Sequence, residues 1–156
     1  MTATISECQR YRYQLQRTWD PSLPAVLFVG LNPSTADATV DDNTSRVCLN
    51  YARRWGYGTV LMGNLFAYRS TDPVALKQVE DPVGPENDGW LRQLQAQADL
   101  VICAWGEWGS LYGRDRAVLA GLKDPFCLVK LTSGRPGHPL YKRRDLRPIP
   151  LDSVGC

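Results

Sequence analysis

Four short apolar runs govern what this chain can fold into: "PAVLFVGL" at residues 24–31, "TVLMGNLF" at 59–66, "LVICAWG" at 100–106 and "FCLVKL" at 126–131. The first is apolar on both of its faces, the mark of a strand buried on both sides of a parallel sheet, and the other three read as further buried strands. The stretches between them carry helical patterns. From Thr44 to Trp55, the residues Val47, Cys48, Tyr51, Ala52 and Trp55 form a stripe opposite Arg46, Asn50, Arg53 and Arg54. Asn43 or Thr44 is placed to cap that helix, and Gly56 or Gly58 to end it. "PENDGWLRQLQAQAD" predicts a second helix with Trp90, Leu91, Leu94 and Ala98 on one face, and "SLYGRDRAVLAGL" a third with Leu111, Val118 and Leu122 inward. Strands alternating with helices predict a single α/β domain over 1–156, its core at about 24–145, built on a four-stranded parallel sheet flanked by helices. "RYRYQLQ", with Tyr11, Tyr13 and Leu15 alternating with polar residues, adds an N-terminal edge strand.

Each buried strand runs into a polar or glycine-containing loop: "GLNPST", "NLFAYRS", "AWGEWG" and "LTSGRPGHP". In a parallel sheet such loops emerge at one edge, where open α/β sheets hold their ligands. That convergence is the main functional signal. Composition narrows the setting. A chain of 156 residues can bury a sizeable core in one domain. Its longest apolar runs fall well short of the roughly 20 residues a transmembrane helix takes. The start, "MTATISECQR", lacks a basic region followed by an apolar stretch, so the expected location is cytoplasmic with no membrane partner. Five cysteines, at 8, 48, 103, 127 and 156, contain no CxxC pair, which argues against a disulfide framework and against zinc. Cys103 and Cys127 read as core residues, Cys8 and Cys156 as free to be exposed. Net charge is only +2, yet between Lys130 and Arg147 the residues Lys130, Arg135, Lys142, Arg143, Arg144 and Arg147 face the single acid Asp145. A local excess of this kind suits phosphate contacts; a solvated tail has the same composition.

Particular residues then become candidates. In the first loop Gly30 allows close backbone approach and Pro33 fixes the chain direction. Asn32 projects a carboxamide able to orient water, and Ser34 and Thr35 offer hydroxyl and backbone donors to a phosphate. An Asx-type turn capping a helix explains the same residues. Asn64 follows "VLMG" and is expected to be buried, where its donors and acceptor must be met by loops or by a ligand edge such as a nucleobase. Arg69 is a phosphate candidate. Asp37, Asp41 and Asp42 lie close enough together to raise Mg²⁺, although their spacing specifies no metal site, and loop solubility and helix capping account for them as well. His138, the only histidine, is held between Gly137 and Pro139 and can stabilise an anionic leaving group.

Taken in order, these pieces resemble the uracil-DNA glycosylase superfamily. "GLNPS" is similar to the first motif of its mismatch-specific branch, whose Asn positions the attacking water; the resemblance gives that role to Asn32. "VLMGNLF" is similar to the strand ending in a uracil-reading Asn, which points to Asn64. "VICAWGEWG" resembles a strand ending in Trp-Gly, and "GHPLY" the second motif, in which His138 stabilises the departing base and Leu140 or Tyr141 wedges the duplex. More closely, through "LNPSTAD", "ARRWGY", "NLFAYR", "DPVGPEND" and "HPLY", the whole chain is similar to domain of unknown function family 1643 of bacteria and phages, which brings no activity with it.

The reading that follows is a nucleobase- or nucleotide-acting enzyme cleaving an N-glycosidic bond in a flipped base. Asn32 and His138 are its catalytic residues, and Phe66 or Trp105 stacks on the base. Arg135, Lys142 and Arg143 hold the nucleic-acid backbone beside Leu140 and Tyr141. No cofactor and no obligate protein partner are inferred. Two alternatives stay open: a metal-dependent nucleotide hydrolase or transferase using Asp37, Asp41 and Asp42, and a non-catalytic nucleic-acid or nucleotide binding module.

Overall fold

The computed structural model describes residues 2–140 and 142–151. Seven strands form one mixed sheet: β1 (Thr2–Ile5), β2 (Arg12–Thr18), β3 (Ala25–Gly30), β4 (Thr59–Asn64), β5 (Leu100–Cys103), β6 (Phe126–Cys127) and β7 (Ile149–Pro150), in the order β1-β2-β4-β3-β5-β6-β7. The four apolar runs lie side by side as β4-β3-β5-β6, each pair parallel, with Ala25 opposite Thr59 and Val26 opposite Leu100. Three further strands, β1, β2 and β7, are joined antiparallel. A four-stranded sheet with one added strand is therefore an underestimate. The segment around Tyr13 is not an edge strand either, because β1 pairs on its outer side.

Alternation along each strand splits the core into two layers. Val26, Phe28, Val60, Met62 and Ile102 pack under α1 (Asn43–Arg54), against Cys48, Tyr51 and Ala52. Leu27, Val29, Leu61, Val101 and Cys103 pack on the other face with Leu91 and Leu94 of α2 (Asn87–Gln97) and Val118 of α3 (Arg114–Leu119). The stripe of Val47, Cys48, Tyr51, Ala52 and Trp55 is the packed face, as its spacing predicts. Both internal cysteines named as core residues, Cys103 and Cys127, are buried. Cys8 is exposed, and Cys156 lies outside the described residues.

Local chemistry corrects three further expectations. Asp42, not Asn43 or Thr44, caps α1: it accepts from the Ser45 amide while the Ser45 hydroxyl accepts from the Asp42 amide, a closed capping box. The third predicted helix is broken, since Leu111 leaves helical geometry and Tyr112 takes φ 55°, so a 3-10 segment (Glu107–Gly113) precedes a short α3. "FCLVKL" contributes only Phe126–Cys127 to the sheet; beyond it Lys130 bridges Pro136 across a turn closed by the Leu131 amide on the Arg135 carbonyl. Among the described residues no helix is long and apolar enough to cross a membrane.

Candidate functional site at the strand ends

The crossover after β3 passes through α1 to β4 on one side, and the chain then crosses by α2 to β5 on the other side. The strand order thus reverses at β3, and the loops after β3 and β5 diverge to leave a crevice at their carboxyl ends. A cleft of about 590 Å³ occupies that position. It is large enough for a nucleotide-sized molecule by the usual range of ligand pockets, roughly 300–1,000 Å³.

The structure gathers most of the sequence candidates around it. Gly30, Asn32, Pro33, Ser34 and Thr35 line one wall, and Asn64 stands at the end of the neighbouring strand. Trp105 faces them from the loop after β5, with His138 and Leu140 from the last loop. Gly106, at φ 75°, turns that β5 loop so that its amide meets the Pro136 carbonyl at 2.9 Å and carries it toward the histidine segment. Other candidates are placed elsewhere. Phe66 is fully buried in the α2-side core against Tyr112 and does not line the cleft. Arg69 lies outside the lining. Arg135 is held by two carboxylates, Glu107 at 3.4 Å and Asp115 at 3.3 Å, so its charge is spent within the protein. Arg143 grips Asp145 with both Nε and Nη2. Lys142 borders a second hollow. Tyr141 lies outside the described residues.

The three clustered acids each carry a structural task. Asp37 accepts from the amides of Thr39 and Val40, which hold its carboxyl below the ordinary carboxylate range. Asp41 pairs with the buried Arg17 at 2.9 Å. Asp42 caps α1. Among the described residues no group of three or more His, Cys, Asp or Glu is placed to hold a metal ion.

Hydrogen bonding assigns orientation to the two polar side chains given chemical roles. Asn32 Nδ2 donates to the carbonyls of Pro33, Tyr68 and Ser70, at 3.2, 3.3 and 3.1 Å, and so ties the loop after β3 to the loop after β4. With its amide nitrogen committed, its Oδ1 is the atom with which it can meet a bound molecule. His138 Nδ1 accepts from the Leu140 amide at 3.2 Å, which places the ring proton on Nε2 and makes that nitrogen a donor. Burial, then the charge of Lys142, lowers its pKa against an opposing pull from Asp42, so the neutral ring is favoured. Cys48 also lines the cleft, but burial pushes its thiol up and leaves it a poor nucleophile.

Of the buried side-chain polar atoms without a partner among the described residues, three are N–H donors: Asn64 Nδ2, Trp105 Nε1 and Arg12 Nε. All three residues line the cleft. Each such orphan costs roughly 1–3 kcal/mol, and the fourth unpartnered atom, Asn87 Oδ1, is an acceptor. The backbone at Asn64 is held firmly. The Asn87 carboxamide donates to the carbonyls of Asn64 and Leu65, and Arg114 Nε donates to the latter at 3.0 Å. Arg12 and Asn87 escaped the sequence reading. Alternation in "RYRYQLQ" put Arg12 on a solvent face, whereas β2 runs antiparallel to β4 and so begins at the carboxyl edge of the parallel strands, under the cleft.

A three-layer α/β domain with a donor-rich cleft where its parallel strands end is the class that fold and geometry define. The chain belongs to the family described as protein of unknown function (DUF1643), whose profile matches residues 12–140. Every residue lining the cleft falls within that span, from Arg12 to Leu140. No curated protein and no solved structure matches the chain.

Proposed function

We propose that this protein hydrolyses an N-glycosidic bond, taking a nucleobase into the strand-end cleft in the manner of the uracil-DNA glycosylase superfamily that its motifs resemble. The observation that carries the reading is the pair of orphaned donors Asn64 Nδ2 and Trp105 Nε1 on residues that line the cleft, above all Asn64, only 4% exposed, whose backbone carbonyl is held by Asn87. A nucleobase edge presents carbonyl and ring-nitrogen acceptors to meet them.

The chemistry follows from the orientations. Asn32 Oδ1 accepts a hydrogen bond from water and holds it toward C1′. The water oxygen bonds to C1′ as the C1′–N bond breaks, its electron pair leaves with the base, and the water's proton passes to solvent. Asn64 Nδ2 and the Nε2–H of neutral His138 donate to the departing base, spreading its charge. Phe66 has no part in stacking; Trp108, half-buried on the cleft wall, takes that place beside Trp105.

A second hollow, of about 740 Å³, favours a polymer as the bearer of the base. Arg53, Arg54, Lys142 and Arg144 line it with no acid among them, and Pro139 belongs to both cavities. Four cations in a hollow that meets the cleft at Pro139 suit a nucleic-acid backbone that continues past the bound base. Arg135 and Arg143, paired with acids, are not part of it.

The test uses labelled single- and double-stranded oligonucleotides carrying uracil, hypoxanthine, oxidised bases or mismatches, with and without Mg²⁺, followed by alkali. Abasic product abolished by both Asn32→Ala and His138→Ala is the expected result. Salt-sensitive binding without product from any of these substrates would instead favour a binding module, and strict Mg²⁺ dependence a metal-dependent hydrolase.

A further inference from the structure

Arg12 stands apart from the other buried cations. Arg17 has Asp41, and Arg114 has Asp88 at 2.9 Å. Arg12 is 3% exposed, and among the described residues its side chain makes one hydrogen bond, from Nη1 to the Ala36 carbonyl at 3.1 Å, while its Nε is orphaned. No carboxylate is paired with it among the described residues. Asp42 is the acid that acts on it electrostatically, but the Asp42 carboxylate is turned to its own helix, accepting from the Ser45 amide at 2.8 Å. Burial pulls the guanidinium down to about 10, still charged at neutral pH. A buried cation with its donor fork unfilled is costly unless an anion meets it. It lines the cleft, from which an anion can reach it.

We propose that Arg12 forms an oxyanion subsite at the floor of the cleft, which takes a phosphoryl group of the nucleotide whose base meets Asn64. The nucleotide part rests on the function proposed above; the anion part does not. A planar guanidinium matches two phosphoryl oxygens at once, and the orphaned donors of Asn64 and Trp105, which line the same cleft, are likewise suited only to acceptors. The subsite also accounts for an arginine, where a lysine or an apolar residue would fill the same sheet position without an unmet fork.

The experiment compares each nucleoside with its 5′-monophosphate and with a dinucleoside phosphodiester, by calorimetric titration of wild type, Arg12→Gln and Arg12→Lys. Wild type is expected to bind the phosphorylated ligand roughly 10- to 100-fold more tightly than the nucleoside, the range that charge-assisted hydrogen bonds supply. Arg12→Gln should lose that advantage while keeping the nucleoside affinity, and Arg12→Lys should keep part of it. An advantage confined to the monophosphate assigns a terminal phosphate, and one shared with the diester assigns a chain phosphate. Equal binding of nucleoside and nucleotide by wild type, or an advantage that survives in Arg12→Gln, overturns the proposal. If no nucleoside binds at all, base recognition fails, and inorganic phosphate decides the subsite alone. It must then raise the melting temperature of wild type above that in chloride of equal ionic strength, and not that of Arg12→Gln. Should Arg12→Gln fail to fold, the wild-type comparison and Arg12→Lys still decide.

Discussion

Gly30 and Asn64 lie opposite each other in register at the carboxyl ends of two parallel strands, and a methyl group on Gly30 would stand 2.8 Å from Asn64 Oδ1. The absence of a side chain at one strand end is what lets the carboxamide at the next occupy the cleft floor. Gly30→Ala therefore has to push Asn64 aside. The expected cost is about 1–3 kcal/mol of stability, typical of overpacking, together with loss of nucleoside binding. Calorimetric melting and titration measure the two; unchanged binding would show that Asn64's placement is not needed.

Asn64 itself separates function from stability. Its side-chain nitrogen is buried without a partner, so Asn64→Leu removes an unmet donor and replaces it with apolar volume. Stability should stay level or rise by about 1 kcal/mol, while binding or activity is lost. A fall of several kcal/mol in urea unfolding would mark Asn64 as structural.

Asn87 makes the converse case. It is fully buried, and its Nδ2 bonds two carbonyls at the end of β4, so Asn87→Ala removes the Asn64 carbonyl's side-chain donor and leaves the Leu65 carbonyl to Arg114. About 1–3 kcal/mol should be lost, read from the urea midpoint, with activity falling as Asn64 loosens.

Asp41→Ala tests the acidic cluster. Arg17 is buried and pairs with Asp41, so the substitution leaves a buried charge and should cost about 3 kcal/mol in Mg²⁺-free buffer. A metal-ligand role predicts instead that stability without Mg²⁺ is unchanged and that added Mg²⁺ stabilises only the wild type.

The pH dependence follows from His138, whose pKa is lowered by burial and by Lys142. Below the ordinary value of 6.5 the unfolded chain binds the proton more readily than the folded one. Stability should be flat above that pH and decline as pH drops through it toward the lower folded value. Protonation also removes the acceptor for the Leu140 amide, so activity should fall over the same window. His138→Gln should abolish this part of the stability decline in melting curves taken across pH.

Much of this architecture was written in local pattern. Apolar runs on both faces mark β3, β4 and β5, and a helical stripe marks the buried face of α1, because burial imposes those periods on any chain. Loops at the strand ends follow from parallel pairing, which is why Asn32, Asn64, Trp105 and His138 were legible as neighbours. Side-chain partners were not legible. Arg135, Arg143 and the three aspartates looked available because sequence does not show that each already has a protein partner. Phe66 and Trp105 sit in similar apolar contexts, yet only Trp105 reaches the cleft.

The sequence alone determined the α/β alternation, the burial of its strands and the convergence of polar loops, since these depend on residues near one another along the chain. Tertiary structure decided the direction and place of β2, and with them Arg12's position under the cleft, because strand pairing is a contact between distant segments that no local period encodes.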